Sequence, residues 1–69
     1  MSARIQVNGE PRPLSAATVV ELLRQVSIDP AARGIAVALN GAVLPRRDWA
    51  ATALGAGDQI EIVKPFRGG

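Results

Sequence analysis

Residues 54–63 read LGAGDQIEIV, and the fold follows from this stretch more than from any other. After a glycine-rich turn, its last five residues alternate between polar and apolar side chains, which is the pattern of a strand with one buried face. Ile60 and Ile62 are therefore predicted to face the core. Gln59 and Glu61 are predicted to face away from it, on a surface interpreted as solvated, with a docking surface for a partner as the alternative.

Two hairpins are predicted upstream of this strand. Each contains an Asn-Gly pair, Asn8-Gly9 in the first and Asn40-Gly41 in the second, and Asn-Gly favours a two-residue turn because both residues tolerate positive φ. The return arm of the first hairpin contains two prolines that cannot donate to a ladder, so this arm is predicted at a sheet edge. The four strands are residues 4–7, 10–14, 35–39 and 42–44.

One helix is predicted between the hairpins. Thr18 and Glu21 have the spacing of a capping box, in which the threonine oxygen and the glutamate satisfy free backbone amides at the helix start. Four apolar residues recur at positions i, i+3, i+4 and i+7, which places one apolar stripe against a core. Those residues are Val19, Leu22, Leu23 and Val26. Because Pro30 prevents a long continuation, the helix is predicted over residues 19–26.

The order of these elements predicts the fold class. A helical turn over residues 45–49 is expected to bring Trp49 onto the core, as a packing residue rather than part of a ligand site. Parallel pairing between the first and last strands needs a crossover, which the helix supplies. We expect an α+β fold, a β-grasp (ubiquitin-like) roll with a mixed sheet of four to five strands packed on one main helix. A small SH3-like barrel is the alternative. Residues 1–64 are expected to form this domain and residues 65–69 a flexible tail.

The composition argues against catalysis, nucleic-acid binding and membrane insertion. The chain has 69 residues and no His, Cys or Tyr, so the usual general bases and thiol nucleophiles are missing and no metal site is expected. A net charge of +2 and two aromatic residues give neither a strong positive field nor a stacking platform for bases. No apolar run approaches the roughly 20 residues that span a bilayer, and the first residues lack the apolar region of a signal peptide, so a cytoplasmic protein is expected.

The longest basic run, Arg46-Arg47, is interpreted as a solvated pair, with docking of an acidic partner surface as the alternative.

The sequence finishes with PFRGG, residues 65–69. Pro65 ends ladder donation, and five residues extend about 17 Å at roughly 3.4 Å per residue, far enough to reach into another protein's active site. Glycine has no Cβ, so Gly68 and Gly69 can enter a narrow channel and leave the terminal carbonyl open to attack. A frayed chain end is the alternative interpretation.

The whole pattern resembles one known family. The segments LNGAVLPRRDW and LGAGDQIEIV and the final RGG are similar to those of the bacterial thiamin-pathway sulfur carrier, the ThiS family, over essentially the whole chain. The most specific residues are Asn40-Gly41, Val43, Pro45-Arg46, Trp49, Gly57-Asp58 and Gly68-Gly69.

This resemblance implies a protein co-substrate rather than an enzyme. A ThiF-like adenylyltransferase would use ATP and magnesium to form an acyl-adenylate on Gly69, and no cofactor would stay bound to this chain. A persulfide donor, such as a cysteine desulfurase, would then displace AMP to leave a thiocarboxylate. A ThiG-like thiazole synthase would take that sulfur for the thiazole ring of thiamin. Phe66, Arg67 and Gly68 would be recognised in the partner's channel. The alternatives are a sulfur carrier for molybdopterin or cysteine synthesis and a ubiquitin-like protein modifier.

Overall fold

The computed structural model describes residues 3–64, which form five strands, one α-helix and one 3₁₀ turn. Every boundary lies within one residue of the predicted one. The elements are β1 (Arg4–Val7), β2 (Glu10–Pro13), α1 (Val19–Gln25), β3 (Ala36–Leu39), β4 (Ala42–Leu44), the 3₁₀ turn (Arg46–Asp48) and β5 (Gln59–Val63).

The five strands form a single mixed sheet in the order β2-β1-β5-β3-β4. The last strand, β5, lies at its centre, parallel to β1 and antiparallel to β3. The proline-containing strand β2 is at one edge, as predicted, and β4 is at the other. Because the sheet has two open edges in the described residues, the small-barrel alternative is wrong. The predicted parallel pairing of first and last strands is confirmed.

Both Asn-Gly pairs form the predicted hairpin turns. Asn8 and Gly9 have φ values of 52° and 82°, and Asn40 and Gly41 have φ values of 51° and 87°. Positive φ at both central residues is the geometry of a type I′ turn, whose twist matches that of the flanking strands. The two turns therefore fix the register of the two outer strand pairs.

Helix α1 packs across the inner face of the sheet and closes the core. Within residues 3–64, ten apolar side chains are buried: Ile5, Val7, Ala16, Val19, Leu22, Leu23, Val37, Trp49, Ile60 and Ile62. Trp49 is 2% exposed, and its Nε1 donates to the carbonyl of Leu44 at 2.9 Å, which satisfies the polar atom of a buried indole. The predicted packing role of Trp49 is confirmed.

The two ends of α1 are fixed by backbone and side-chain hydrogen bonds. Thr18 Oγ1 accepts from the amide of Glu21 at 3.3 Å, as predicted, whereas the Glu21 carboxylate accepts from Ala17 at 3.0 Å, one residue before the cap. At the other end, Ser27 has a φ of 64° and Ile28 donates to the carbonyl of Leu23 at 2.8 Å. This is a Schellman motif, so α1 ends before Pro30 acts on it. Among residues 3–64, no helix has the length and apolar character needed to cross a membrane.

Candidate functional site

The residues predicted to carry the chemistry, Phe66, Arg67, Gly68 and Gly69, lie outside the described residues, and so does the predicted flexibility of the tail. The structure describes the segment that leads into them, the end of β5 at Val63 and Lys64. Within the described residues, the site therefore consists of the strand that leads into the tail and the surfaces beside that strand.

The end of β5 is hydrogen-bonded on one side by a strand and on the other by a side chain. Strand β3 pairs with it as far as Val63, whereas the pairing with β1 stops at Ile60. Beyond that point the amide side chain of Asn8 continues the ladder. Its Oδ1 accepts from the amide of Ile62 at 2.8 Å, and its Nδ2 donates to the carbonyl of Ile62 at 3.2 Å. Asn8 thus substitutes for a missing strand residue and holds the base of the tail.

Asn40 acts in the same way at the start of β5. Its backbone amide donates to the carbonyl of Gln59 at 2.7 Å, and its Oδ1 accepts from the amide of Gln59 at 2.9 Å. Its Nδ2 donates to Asp58 Oδ1 at 3.1 Å, while Asp58 Oδ2 accepts from the amide of Gly55 at 2.7 Å. Both hairpin turns therefore brace the central strand.

Sequence reasoning interpreted Asn8 and Asn40 as turn residues only. The signal that could have indicated more is the choice of asparagine over aspartate. Both residues favour this turn, but only the amide of asparagine can donate as well as accept, which pairing to a strand backbone requires. Asparagine occupies the first turn position in both hairpins. Nothing in local sequence identified the bonding partner, because Asn8 and Ile62 are 54 residues apart.

The outer face of the sheet carries an exposed apolar patch. Within the described residues two large apolar side chains are exposed, Val43 at 80% and Val63 at 62%. Strand pairing sets Ala36 opposite Val63 and Ala38 opposite Val43, so these four residues form one surface, termed here the outer patch. They line a shallow groove of about 240 Å³. This patch adjoins the last described residue before the tail.

The predicted outward orientation of Gln59 and Glu61 is confirmed, since both are exposed. The outer patch itself was not predicted, although a signal for it exists. Val63 continues the outward positions 59 and 61 and is an apolar residue at a position where the alternation calls for a polar one.

Arg46 has a structural role that the sequence did not reveal. The residue is exposed, yet its guanidinium lies 4.5 Å from the centre of the Trp49 ring and donates to the carbonyls of Pro30 and Ala32. Arg47 is exposed beside it. The solvated-pair interpretation therefore fits Arg47 but is incomplete for Arg46, which fixes the loop before β3.

The described residues form the support from which the chain continues into residues 65–69. Within residues 3–64, no group of three or more His, Cys, Asp or Glu side chains is placed to hold a metal ion. The central strand β5 is hydrogen-bonded by Asn40 at its start and by Asn8 near its end. The outer patch lies beside that end, where the chain continues into the tail.

Comparison with known proteins gives one consistent family. The family model described as the ThiS family matches residues 5–69. The sulfur carrier protein ThiS of Thermus thermophilus is 34% identical over 65 residues, which cover 94% of this chain and 98% of that protein. A thiazole synthase of Paramagnetospirillum magneticum is 37% identical over 67 residues; this covers 96% of this chain, but the chain spans only 20% of that protein's length.

Solved structures agree with these sequence matches. The crystal structure of the thiamine biosynthesis protein (ThiS) from Geobacter metallireducens has a TM-score of 0.72 and 34% identity, covering 96% of this chain and 99% of that chain. A solution NMR structure of a thiamine biosynthesis protein from the same organism has a TM-score of 0.77 and 35% identity, covering 96% and 87%. These likenesses confirm the predicted β-grasp fold. Because the family model spans nearly the whole sequence, the chain belongs to the ThiS family.

Proposed function

We propose that this protein is the sulfur carrier of thiamin biosynthesis and that Gly69 is converted to a C-terminal thiocarboxylate. The observation that carries the proposal is that the family match extends through residue 69 and so includes both final glycines. The proposal requires Gly69 to be the last residue of the working protein, which an intact mass measurement determines.

The chemistry follows from the poor reactivity of a carboxylate. A Gly69 carboxylate oxygen attacks the α-phosphorus of ATP, and the bond to pyrophosphate breaks to give an acyl-adenylate. The terminal sulfur of a persulfide then attacks the Gly69 carbonyl, and AMP leaves. A second thiol then attacks the cysteine sulfur of the resulting acyl disulfide; a new disulfide forms between these two sulfurs, and the thiocarboxylate leaves. The chain contains no cysteine, so the persulfide and the second thiol come from partner proteins.

Catalysis in this scheme belongs to partner proteins. The adenylyltransferase binds ATP and magnesium, and a persulfide donor such as a cysteine desulfurase supplies sulfur. This chain contributes the reacting carboxylate of Gly69 and the access that Gly68 allows, with Phe66 and Arg67 recognised in the partner's channel. Its own lack of His, Cys and Tyr fits a co-substrate rather than an enzyme.

A thiazole synthase is the proposed acceptor of the sulfur. The supporting observation is the match to a protein of that name, in which a region similar to this chain makes up one fifth of the length. A carrier-like region joined to an enzyme of that name favours thiazole synthase over acceptors in other pathways.

The outer patch is the proposed docking surface for the adenylyltransferase. A protein that encloses the tail must approach the end of β5, and Val63 is two residues before Pro65. Val43 and Val63 are already exposed, so covering them removes apolar area from water at roughly 25 cal/mol per Å². The patch thus adds affinity at the place where the tail enters the partner.

Sulfur transfer tests the acceptor directly. The thiocarboxylate form is incubated with thiazole synthase and its other substrates, and the terminal peptide is followed by mass spectrometry. Conversion back to the carboxylate, coupled to thiazole formation, is expected. Retention of the thiocarboxylate with thiazole synthase, but its loss with a molybdopterin or cysteine synthase system, would assign the carrier to another pathway. Isopeptide adducts on lysines of other proteins would instead indicate a modifier.

A further inference from the structure

A second surface of the molecule, distinct from the outer patch, is an open basic cleft. It lies between α1 and the loop that leads into β3, and has a volume of about 710 Å³. Its charged lining consists of Arg24 from the helix, Arg33 and Asp29 from the loop, and Arg46 from the 3₁₀ turn. These residues define the basic cleft.

The basic cleft concentrates the positive charge of the molecule. Three arginines and one aspartate give it a formal charge of +2, which equals the net charge of the whole chain. The remaining five basic and five acidic residues balance. Asp29 is also engaged locally, since its Oδ1 accepts from the amide of Ala31 at 2.9 Å. In the lining of the cleft, basic residues therefore outnumber acidic ones by two.

Arg46 fixes the loop side of the cleft. Its guanidinium donates to the carbonyls of Pro30 and Ala32 and lies over the buried Trp49, so the loop is tied to the core. Arg24, on the helix, and Arg33, on the loop, are both exposed. Their guanidiniums are thus presented on a fixed frame, which lowers the entropy lost when they engage an anion.

The basic cleft lies at the end of the sheet from which the tail leaves. Strand β3 begins at this end, and its first residue, Ala36, pairs with Val63 at the end of β5. Gly34, two residues earlier, lines the cleft. A protein that encloses the residues after Lys64 therefore approaches the cleft as well.

We propose that the basic cleft docks a carboxylate-rich surface of the adenylyltransferase, through Arg24 and Arg33. This inference rests on the proposed function, because that function places an enzyme around the tail. A protein surface suits the cleft better than a small anion does, since the cleft is open and its two exposed arginines, Arg24 and Arg33, come from separate elements. Arginine binds carboxylates through a planar fork, and such peripheral charges mainly raise the rate of association and make it depend on salt.

The test measures ATP–pyrophosphate exchange by the adenylyltransferase as a function of the concentration of this protein. The cleft variant is Arg24→Glu with Arg33→Glu. The matched control is Arg4→Glu with Arg12→Glu, which changes the net charge equally but lies on β1 and β2. We expect the cleft variant to raise KM at least tenfold with kcat unchanged and with a weaker salt dependence, and the control to change KM less than twofold. Circular dichroism checks that both variants are folded.

The remaining outcomes separate this inference from the proposed function. Exchange with the wild type and equal KM values for both variants would overturn the basic cleft alone. The absence of exchange with the wild type would overturn both proposals. Pyrophosphate alone is added in an NMR titration without enzyme. If it shifts the Arg33 and Gly34 amides at micromolar concentrations, the cleft is a small-anion site and the docking proposal is wrong.

Discussion

The two faces of the sheet carry similar aliphatic side chains with opposite exposures. On the inner face Ile60 and Ile62 of β5 are 1% and 8% exposed, beneath α1. On the outer face Val63, the next residue of the same strand, is 62% exposed, and Val43 is 80% exposed. Burial under the helix explains the first pair. The second pair gains little burial in the monomer, so we infer that the inner face serves folding and the outer face serves a partner.

The largest expected effect is on the inner face. Ile60→Ala should lower the free energy of unfolding by about 2–5 kcal/mol, because it removes buried methyl groups and leaves a cavity. A chain of this size has a total free energy of unfolding of only about 3–10 kcal/mol, so the substitution removes a large share of it. Urea denaturation followed by circular dichroism measures the change. Val63→Ala on the same strand is the matched control and should lower the free energy of unfolding by less than about 0.5 kcal/mol. Equal losses of stability in the two variants would show that the outer face contributes to folding as much as the inner face.

Substitutions in the outer patch should weaken binding to the partner and leave the free energy of unfolding nearly unchanged. Val43→Ser with Val63→Ser removes apolar surface that the enzyme is proposed to cover, so KM for this protein in ATP–pyrophosphate exchange should rise about tenfold, or roughly 1.4 kcal/mol. The free energy of unfolding should stay within about 0.5 kcal/mol of the wild type. Gln59→Ser with Glu61→Ser changes the same face without removing the valines and serves as the control. A normal KM for the valine variant would show that the patch is not a docking surface.

A smaller loss of stability is expected when the side-chain hydrogen bonds of Asn8 to β5 are removed and both faces of the sheet are left unchanged. Asn8→Gly keeps the positive φ of the turn but loses both side-chain hydrogen bonds to Ile62, at a cost of about 1 kcal/mol. The amide of Ile62 should then exchange faster in hydrogen-exchange NMR, while the amides of the β3–β4 hairpin keep their relative order of protection. Asn8→Asp retains the acceptor and should fall between Asn8→Gly and the wild type. Unaltered exchange at Ile62 in the glycine variant would refute the bracing role.

The smallest expected effect is a gain in stability at the end of α1, which packs on the inner face of the sheet. Ser27 adopts a φ of 64°, which glycine reaches without steric cost, so Ser27→Gly should raise the free energy of unfolding by about 0.5 kcal/mol. Ser15→Gly provides a comparison at a position for which no positive φ is found. Since Ser27 lies at the end of α1 and outside the outer patch, KM in ATP–pyrophosphate exchange should not change. A loss of stability at Ser27→Gly would mean that the Schellman geometry does not strain the serine.

Most of the fold was predictable because its signals are local. The alternation in residues 59–63 identified the central strand, two Asn-Gly pairs identified the hairpins, and the capping box at Thr18 marked the helix start. Each of these patterns acts over fewer than ten residues. The order of the elements then left few topologies, and in the predicted β-grasp arrangement β1 pairs parallel with β5, for which the helix supplies the necessary crossover.

The missed features depend on contacts between distant residues. Asn8 bonds to Ile62 and Arg46 bonds to Pro30 and Ala32, and no local pattern reports such partners. The end of α1 was predicted to within one residue, but the Schellman motif that forms it was missed, since serine is an uncommon residue for the left-handed position that glycine usually occupies. For the site, the sequence predicts the tail, which lies outside the described residues and stays a prediction. The outer patch required the pairing of strands, and the basic cleft required the position of α1 beside the loop before β3.

The central claim is that Gly69 receives sulfur, and the mass of the terminal peptide tests it most directly. The protein is incubated with the adenylyltransferase, ATP, magnesium and a persulfide source, then digested and analysed by mass spectrometry. Localisation to the terminal peptide is essential, because exchange of oxygen for sulfur adds nearly the same mass as oxidation at Met1 or Trp49. A thiocarboxylate on Gly69, absent from a variant that lacks this residue, is the predicted result. An unchanged terminal peptide, with an enzyme shown to load another carrier, would contradict the account.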